Sequence, residues 1–85
     1  MLDGRINLWL IWSMLINERL TRWREHKGLT KAALASTAGT TPQAVGRIEA
    51  GDSDPSLEML TKLVSAMKLT MAEFYGPLPK LKRAS

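Results

Sequence analysis

The chain of 85 residues contains no cysteine and one histidine, His26. The first absence excludes disulfides and thiolate metal sites. The second excludes a histidine-built zinc centre, which draws on several ligands. No metal and no cofactor are expected. The longest apolar run, residues 8–16 (Leu-Trp-Leu-Ile-Trp-Ser-Met-Leu-Ile), falls well short of the roughly 20 residues that cross a bilayer. Arg5 and this run resemble the start of a signal peptide. No small-residue cleavage site follows, however, and cutting at Asn17-Glu18-Arg19 would enter the next helix. The sequence has no glycine-rich phosphate loop and no serine spaced with histidine and carboxylate as a nucleophile motif. So small a domain also leaves little room for a substrate pocket. Catalysis is not expected. Alternating strand patterns, internal repeats and low-complexity stretches are missing as well.

What is present is basic. Twelve lysines and arginines face eight aspartates and glutamates, for a formal charge of +4. A small basic domain points to a polyanionic partner, nucleic acid or an anionic membrane. Apolar residues at 45% and charged residues at 24% fit one small globular core.

From residue 16 onward the chain is punctuated as short helices. The first is expected over Asn17–Lys27, with Ile16, Leu20 and Trp23 at helical spacing and Gly28 as its stop. Thr30 caps a second helix over Lys31–Ala38, with Leu29 and Leu34 as a hydrophobic staple and Gly39 at its end. Thr41 caps a third over Pro42–Ala50. Proline there sits at the first position, where its missing N–H costs nothing, and Gly51 closes the helix. A fourth starts after Ser56 with Leu57, Leu60, Leu63, Val64 and Met67 on one side. A short fifth has Thr70 and Glu73 as a capping box, Leu69 and Phe74 as a staple, and Gly76-Pro77 as terminator. Trp23, Met59, Met67 and Met71 are expected in the core, and His26 in solvent at the end of the first helix.

The second and third helices, joined by Gly39-Thr40-Thr41, describe a helix-turn-helix. Ala35 is small where the helices must pass closely, Gly39 suits a positive φ, and Leu34, Ala38, Val45 and Ile48 are apolar where the helices meet. With "HKGLTKAALASTAGTTPQAVGRIEAG" and "PSLEMLTKLVSAMKLTMAEFY", the stretch from Leu20 to Tyr75 resembles the Cro and lambda-repressor (Xre-like) family of helix-turn-helix DNA-binding domains. The resemblance implies an all-α, compact five-helix domain over residues 17–76. It also implies sequence-specific binding of double-stranded DNA, regulation of transcription of a repressor-like kind, and a homodimer. An internal ion pair between Arg24 and Glu49 is implied too, locking the first helix to the third.

On that scheme the third helix enters the major groove. With Val45 and Ile48 inward, Gln43, Ala44 and Arg47 are expected to touch bases: Gln43 adenine, Arg47 guanine and Ala44 a thymine methyl. Lys31 and Thr41, at helix amino ends, are expected on phosphate. Several residues depart from the family pattern. Lys31 replaces a usual glutamine, and Thr40 a frequent valine or isoleucine. Pro42 removes a position that reads bases in some relatives. Gly46 weakens its helix by about 1 kcal/mol against alanine. Asp52 and Asp54 stand in a loop where relatives often carry lysine or arginine.

Residues 1–16 form an apolar extension with three open readings: a dimer or protein-partner element through residues 8–16, an addition to the core, or a stretch ahead of the true start, since Met14 stands just before the family-like region. An interfacial membrane anchor is disfavoured because the flanks lack a basic cluster. Residues 77–85, with Lys80, Lys82 and Arg83, read as a flexible basic tail. The expected location is cytoplasmic. The alternative to a DNA-binding regulator is a protein-interaction module, a partner of a repressor or toxin, built on the same fold and using the apolar extension.

Overall fold

The computed structural model describes residues 8–79, with side chains from Ile16 onward. Five helices follow one another in the described chain, which has no strand: α1 (Leu8–His26), α2 (Lys31–Ala38), α3 (Pro42–Ala50), α4 (Leu57–Ala66) and α5 (Met71–Tyr75). The all-α, five-helix expectation matches this order. The expected start of the first helix is corrected. Its backbone is helical from Leu8 rather than from Asn17. Nothing between residues 8 and 17 breaks a helix, because the run contains neither proline nor glycine. Readings that depend on residues 1–7, on the side chains of 8–15 or on the basic residues of the tail lie outside the described residues.

The helix beginnings are built alike. Thr30, Thr41, Ser56 and Thr70 each have extended backbone, and each hydroxyl accepts the N–H three residues on, from Ala33, Ala44, Met59 and Glu73. At α5 the capping box is complete, because Glu73 Oε1 also accepts from Thr70 N–H at 2.8 Å.

The ends of α1 to α4 are built alike as well. In α2 the Thr40 N–H donates to Ala35 O at 2.8 Å and Gly39 N–H to Ser36 O at 3.3 Å, a closure that requires the left-handed φ of +79° at Gly39. The same pair of bonds ends α3 at Gly51 and α4 at Lys68. Lys68 is the one non-glycine with positive φ among the described residues, at +61°. An asymmetric carbon is disfavoured in that region. The closing bonds from Lys68 N–H to Ser65 O and from Leu69 N–H to Val64 O hold it there.

The core lies where α1, α2, α3 and α4 converge. Leu20, Leu34, Ala35, Val45, Ile48, Leu63, Val64, Met67 and Phe74 are buried. Ile16, Trp23, Leu29, Met59, Leu69 and Met71 pack half-buried against them. Ala35 is wholly buried, consistent with the close passage of α2 and α3. One expected core residue is corrected: Leu57, placed on the inner side of α4, is 73% exposed. It keeps phase with Leu60 and Val64 but stands on the first residue of the helix, where the side chain overhangs the end of the core.

Candidate nucleic-acid interface

Helix α3 is fixed at both ends and on one face. Thr41 Oγ1 accepts from Ala44 N–H at 3.1 Å and sets its entry. Gly51 ends it close against α1: a Cβ added there would stand 2.7 Å from Asn17 Nδ2. The φ of +85° there favours glycine, and the Asn17 amide occupies the space a Cβ would take. Val45 and Ile48 are buried against the other helices. The helix therefore has one rotational setting, and its remaining face is determined.

On that face Gln43 and Arg47 are exposed. Neither side chain has a hydrogen bond or ion pair among the described residues. Ala44 is half-buried at the margin of the face, and Ala50 is exposed one turn beyond Gly46. The structure thus brings Gln43 and Arg47 onto one surface and sets Ala44 at its edge. Ala50 was not singled out in the sequence, although the helical repeat from Gln43 and Arg47 leads to it.

Lys31 and Thr41 are both exposed at helix amino ends, and the two ends differ. In α2, Thr30 takes the N–H of Ala33 through its hydroxyl and that of Leu34 through its carbonyl, leaving those of Lys31 and Ala32 for a ligand. In α3, Pro42 has no N–H and the cap takes that of Ala44, leaving only that of Gln43 in the first turn. The Lys31 end therefore presents more donors and a charge. Asp52 and Asp54, in the loop after α3, are exposed, as is His26.

Behind α3 a charged tie holds its register. Arg24 Nε donates to Glu49 Oε2 at 2.7 Å and Arg24 Nη2 to Glu49 Oε1 at 3.1 Å, a bidentate pair. The two side chains are only 11% and 6% exposed. Arg24 Nη1 also donates to Leu29 O at 2.9 Å, so the same guanidinium fixes the loop leading into α2. The hydrogen bonds to the Glu49 carboxylate hold the Arg24 guanidinium above its ordinary pKa; burial opposes this, and the charges of Glu49 and Glu25 add to it.

A second tie, not read from the sequence, joins α1 to α5. Arg19 Nη1 donates to Phe74 O at 2.9 Å and to Gly76 O at 2.6 Å. Trp23 Nε1 donates to Phe74 O at 3.3 Å. These donors satisfy carbonyls that a five-residue helix cannot satisfy internally. Backbone acceptors more than fifty residues away in sequence leave no local signal at Arg19.

Two open depressions lie away from the exposed face of α3. One, of about 470 Å³, is lined by Thr37, Ala38, Thr61, Lys62, Ser65 and Ala66. The other, of about 240 Å³, is lined by Lys27, Leu29, Ala66, Met67 and Lys68. Among the described residues no group of three or more histidines and carboxylates is placed to hold a metal. No described helix is long and apolar enough to cross a membrane.

Comparison with known proteins agrees with this geometry. Residues 20–74 match the family described as helix-turn-helix. The chain is 39% identical over 49 residues to an SPbeta prophage-derived uncharacterized HTH-type transcriptional regulator, YonR, of Bacillus subtilis (strain 168). That match covers 58% of this chain and 45% of the relative, so it spans less than half of that protein's length. Among solved structures, the crystal structure of the restriction-modification controller protein C.AhdI from Aeromonas hydrophila is similar, with a TM-score of 0.72 and 29% identity. It covers 76% of this chain and 98% of that one.

Proposed function

The chain belongs to the helix-turn-helix family that its residues 20–74 match, and on that premise we propose that it is a DNA-binding regulator of transcription that lays α3 in the major groove. The observation that carries this reading is the exposure of Gln43 and Arg47 on the face of α3 opposite Val45 and Ile48. Caps at both ends order the helix during folding, so little further backbone ordering opposes binding.

The roles divide by chemistry. Gln43 offers an amide for a bidentate pair with adenine, Arg47 a guanidinium for guanine, and Ala44 a methyl contact for thymine at the helix margin. Lys31, with the free N–H groups at the head of α2, grips phosphate, and Thr41 does so beside α3. Arg24 and Glu49 keep α3 in register from behind. The protein acts by occupying DNA, with no catalytic step and no cofactor, in the cytoplasm. It works as a two-fold homodimer: one recognition helix of nine residues spans only a few base pairs, whereas a pair reads half-sites about one helical turn apart. The similarity to a prophage-derived transcriptional regulator and to a restriction-modification controller protein supports a regulatory role, which we take to be repressor-like.

Selection from random-sequence duplexes at two salt concentrations, alongside a sizing measurement, tests this reading. Arg47→Ala is expected to lose about 1–3 kcal/mol of discrimination at one base pair. Lys31→Ala should weaken all duplexes alike and reduce the salt slope by about one. Salt-dependent binding curves untouched by either change would refute this assignment of the surface.

A further inference from the structure

We infer that Gly46 is a specificity-determining position of α3, left without a side chain so that the helix backbone itself seats against the duplex. The inference rests on the reading of α3 as the helix that enters the groove.

Glycine inside a helix of nine residues weakens that helix relative to alanine. Two intramolecular demands ordinarily justify it, and neither applies. Gly46 is not among the positive-φ residues, unlike Gly28, Gly39 and Gly51. Among the described residues a Cβ added at Gly46 would meet nothing within 4 Å, whereas one at Gly51 would stand 2.7 Å from Asn17 Nδ2. Neither backbone conformation nor close packing among the described residues accounts for the missing side chain.

Its place on the helix supplies the reason. At 3.6 residues per turn, Gly46 stands between Gln43 one turn before and Ala50 one turn after, beside Arg47. All three of those neighbours are exposed. Gly46, itself half-buried, thus places bare backbone beside Gln43 and Arg47, two side chains assigned to base edges. Bidentate hydrogen bonds tolerate only a narrow range, roughly 2.7–3.2 Å between heavy atoms. A methyl group standing off the backbone there would lift α3 and take Gln43 and Arg47 beyond that range together.

The test substitutes Gly46→Ala and Gly46→Gln in the full chain and measures thermal unfolding beside affinity for the duplex that the parent selects. Both replacements are better helix formers than glycine. The Tm of Gly46→Ala should rise by about 2–8 °C. Affinity for the selected duplex should fall at least about tenfold, equivalent to about 1.4 kcal/mol, and further for Gly46→Gln. A scrambled duplex should lose less than the selected one. An alanine variant that binds the selected duplex as tightly as the parent overturns the assignment of Gly46 alone. A lowered Tm overturns it too, because the glycine would then serve the fold. If the parent selects no duplex, the reading of α3 fails and the role of Gly46 with it.

Discussion

Removing Arg24 should cost the domain a large share of its stability, about 3–5 kcal/mol. Arg24→Ala deletes two hydrogen bonds to Glu49, at 2.7 and 3.1 Å, and one to Leu29 O, at 2.9 Å. Hydrogen bonds to charged groups contribute about 1.5–3 kcal/mol each, but water entering the space replaces part of that. The larger effect falls on the partner left behind. The Glu49 side chain, 6% exposed beside Arg24, would lose its cation while still held largely inside the fold. Breaking one side of such a pair costs about 3–5 kcal/mol. At roughly 0.05–0.15 kcal/mol per residue, a chain of 85 residues has about 4–13 kcal/mol in total. Urea unfolding followed by helical circular dichroism should therefore show a large drop in midpoint, or a variant already partly unfolded in buffer. The double variant Arg24→Met with Glu49→Leu removes both charges and fills the space. It should recover most of the loss, since an apolar pair of similar volume often equals a buried ion pair. A loss under about 1 kcal/mol for Arg24→Ala, or a double variant no better than the single one, would sink the argument that burial of Glu49 makes the pair consequential.

Other perturbations separate the remaining parts of the fold. Leu63→Ala, at a wholly buried site, should cost about 2–5 kcal/mol, while Leu57→Ala, at a site 73% exposed, should stay within about 0.5 kcal/mol by the same denaturation assay. Arg19→Ala should cost about 1.5–3 kcal/mol and raise amide hydrogen exchange in α5 before α2 and α3 respond. Burial raises the pKa of Tyr75 against the opposing charge of Arg19. The folded state thus holds the phenolic proton more tightly than the unfolded one. Stability from this source is complete below the ordinary phenol value of about 10 and declines as pH climbs past it toward the folded value. Tyr75→Phe should flatten that part of an alkaline unfolding profile, and an unchanged profile would refute the link.

Much of the architecture is legible because the helix signals are local. Thr30, Thr41, Ser56 and Thr70 each precede a helix by one residue and cap it with their own hydroxyl, so residue type and position alone reveal the starts. Gly39 and Gly51 mark two ends for the same reason. Lys68 serves the same geometry without the residue that announces it, and its turn is visible only in the structure. The start of α1 is illegible because no proline or glycine separates the apolar run from Asn17, a cap-type residue that the helix runs straight through. Leu57 shows where periodicity fails: the pattern gives a side chain its direction but not whether anything stands opposite. At the interface, Gln43 and Arg47 follow from the inward phase of Val45 and Ile48. Ala44 lies too near the boundary for periodicity to place. The contacts of Arg19 join residues distant in sequence through carbonyl oxygens, which every residue type has, so composition and spacing carry no trace of them.

Helix α1 grips α5 through Arg19 and Trp23 and, within the next turn, grips α3 through Arg24. It is thus a shared spine to which both the last helix and the recognition helix are bolted. These bonds tie α1, α3 and α5 to one another at neighbouring turns of a single helix. On the reading proposed above, a signal that reached this protein through that spine would pass by way of Arg24 to the helix that faces DNA.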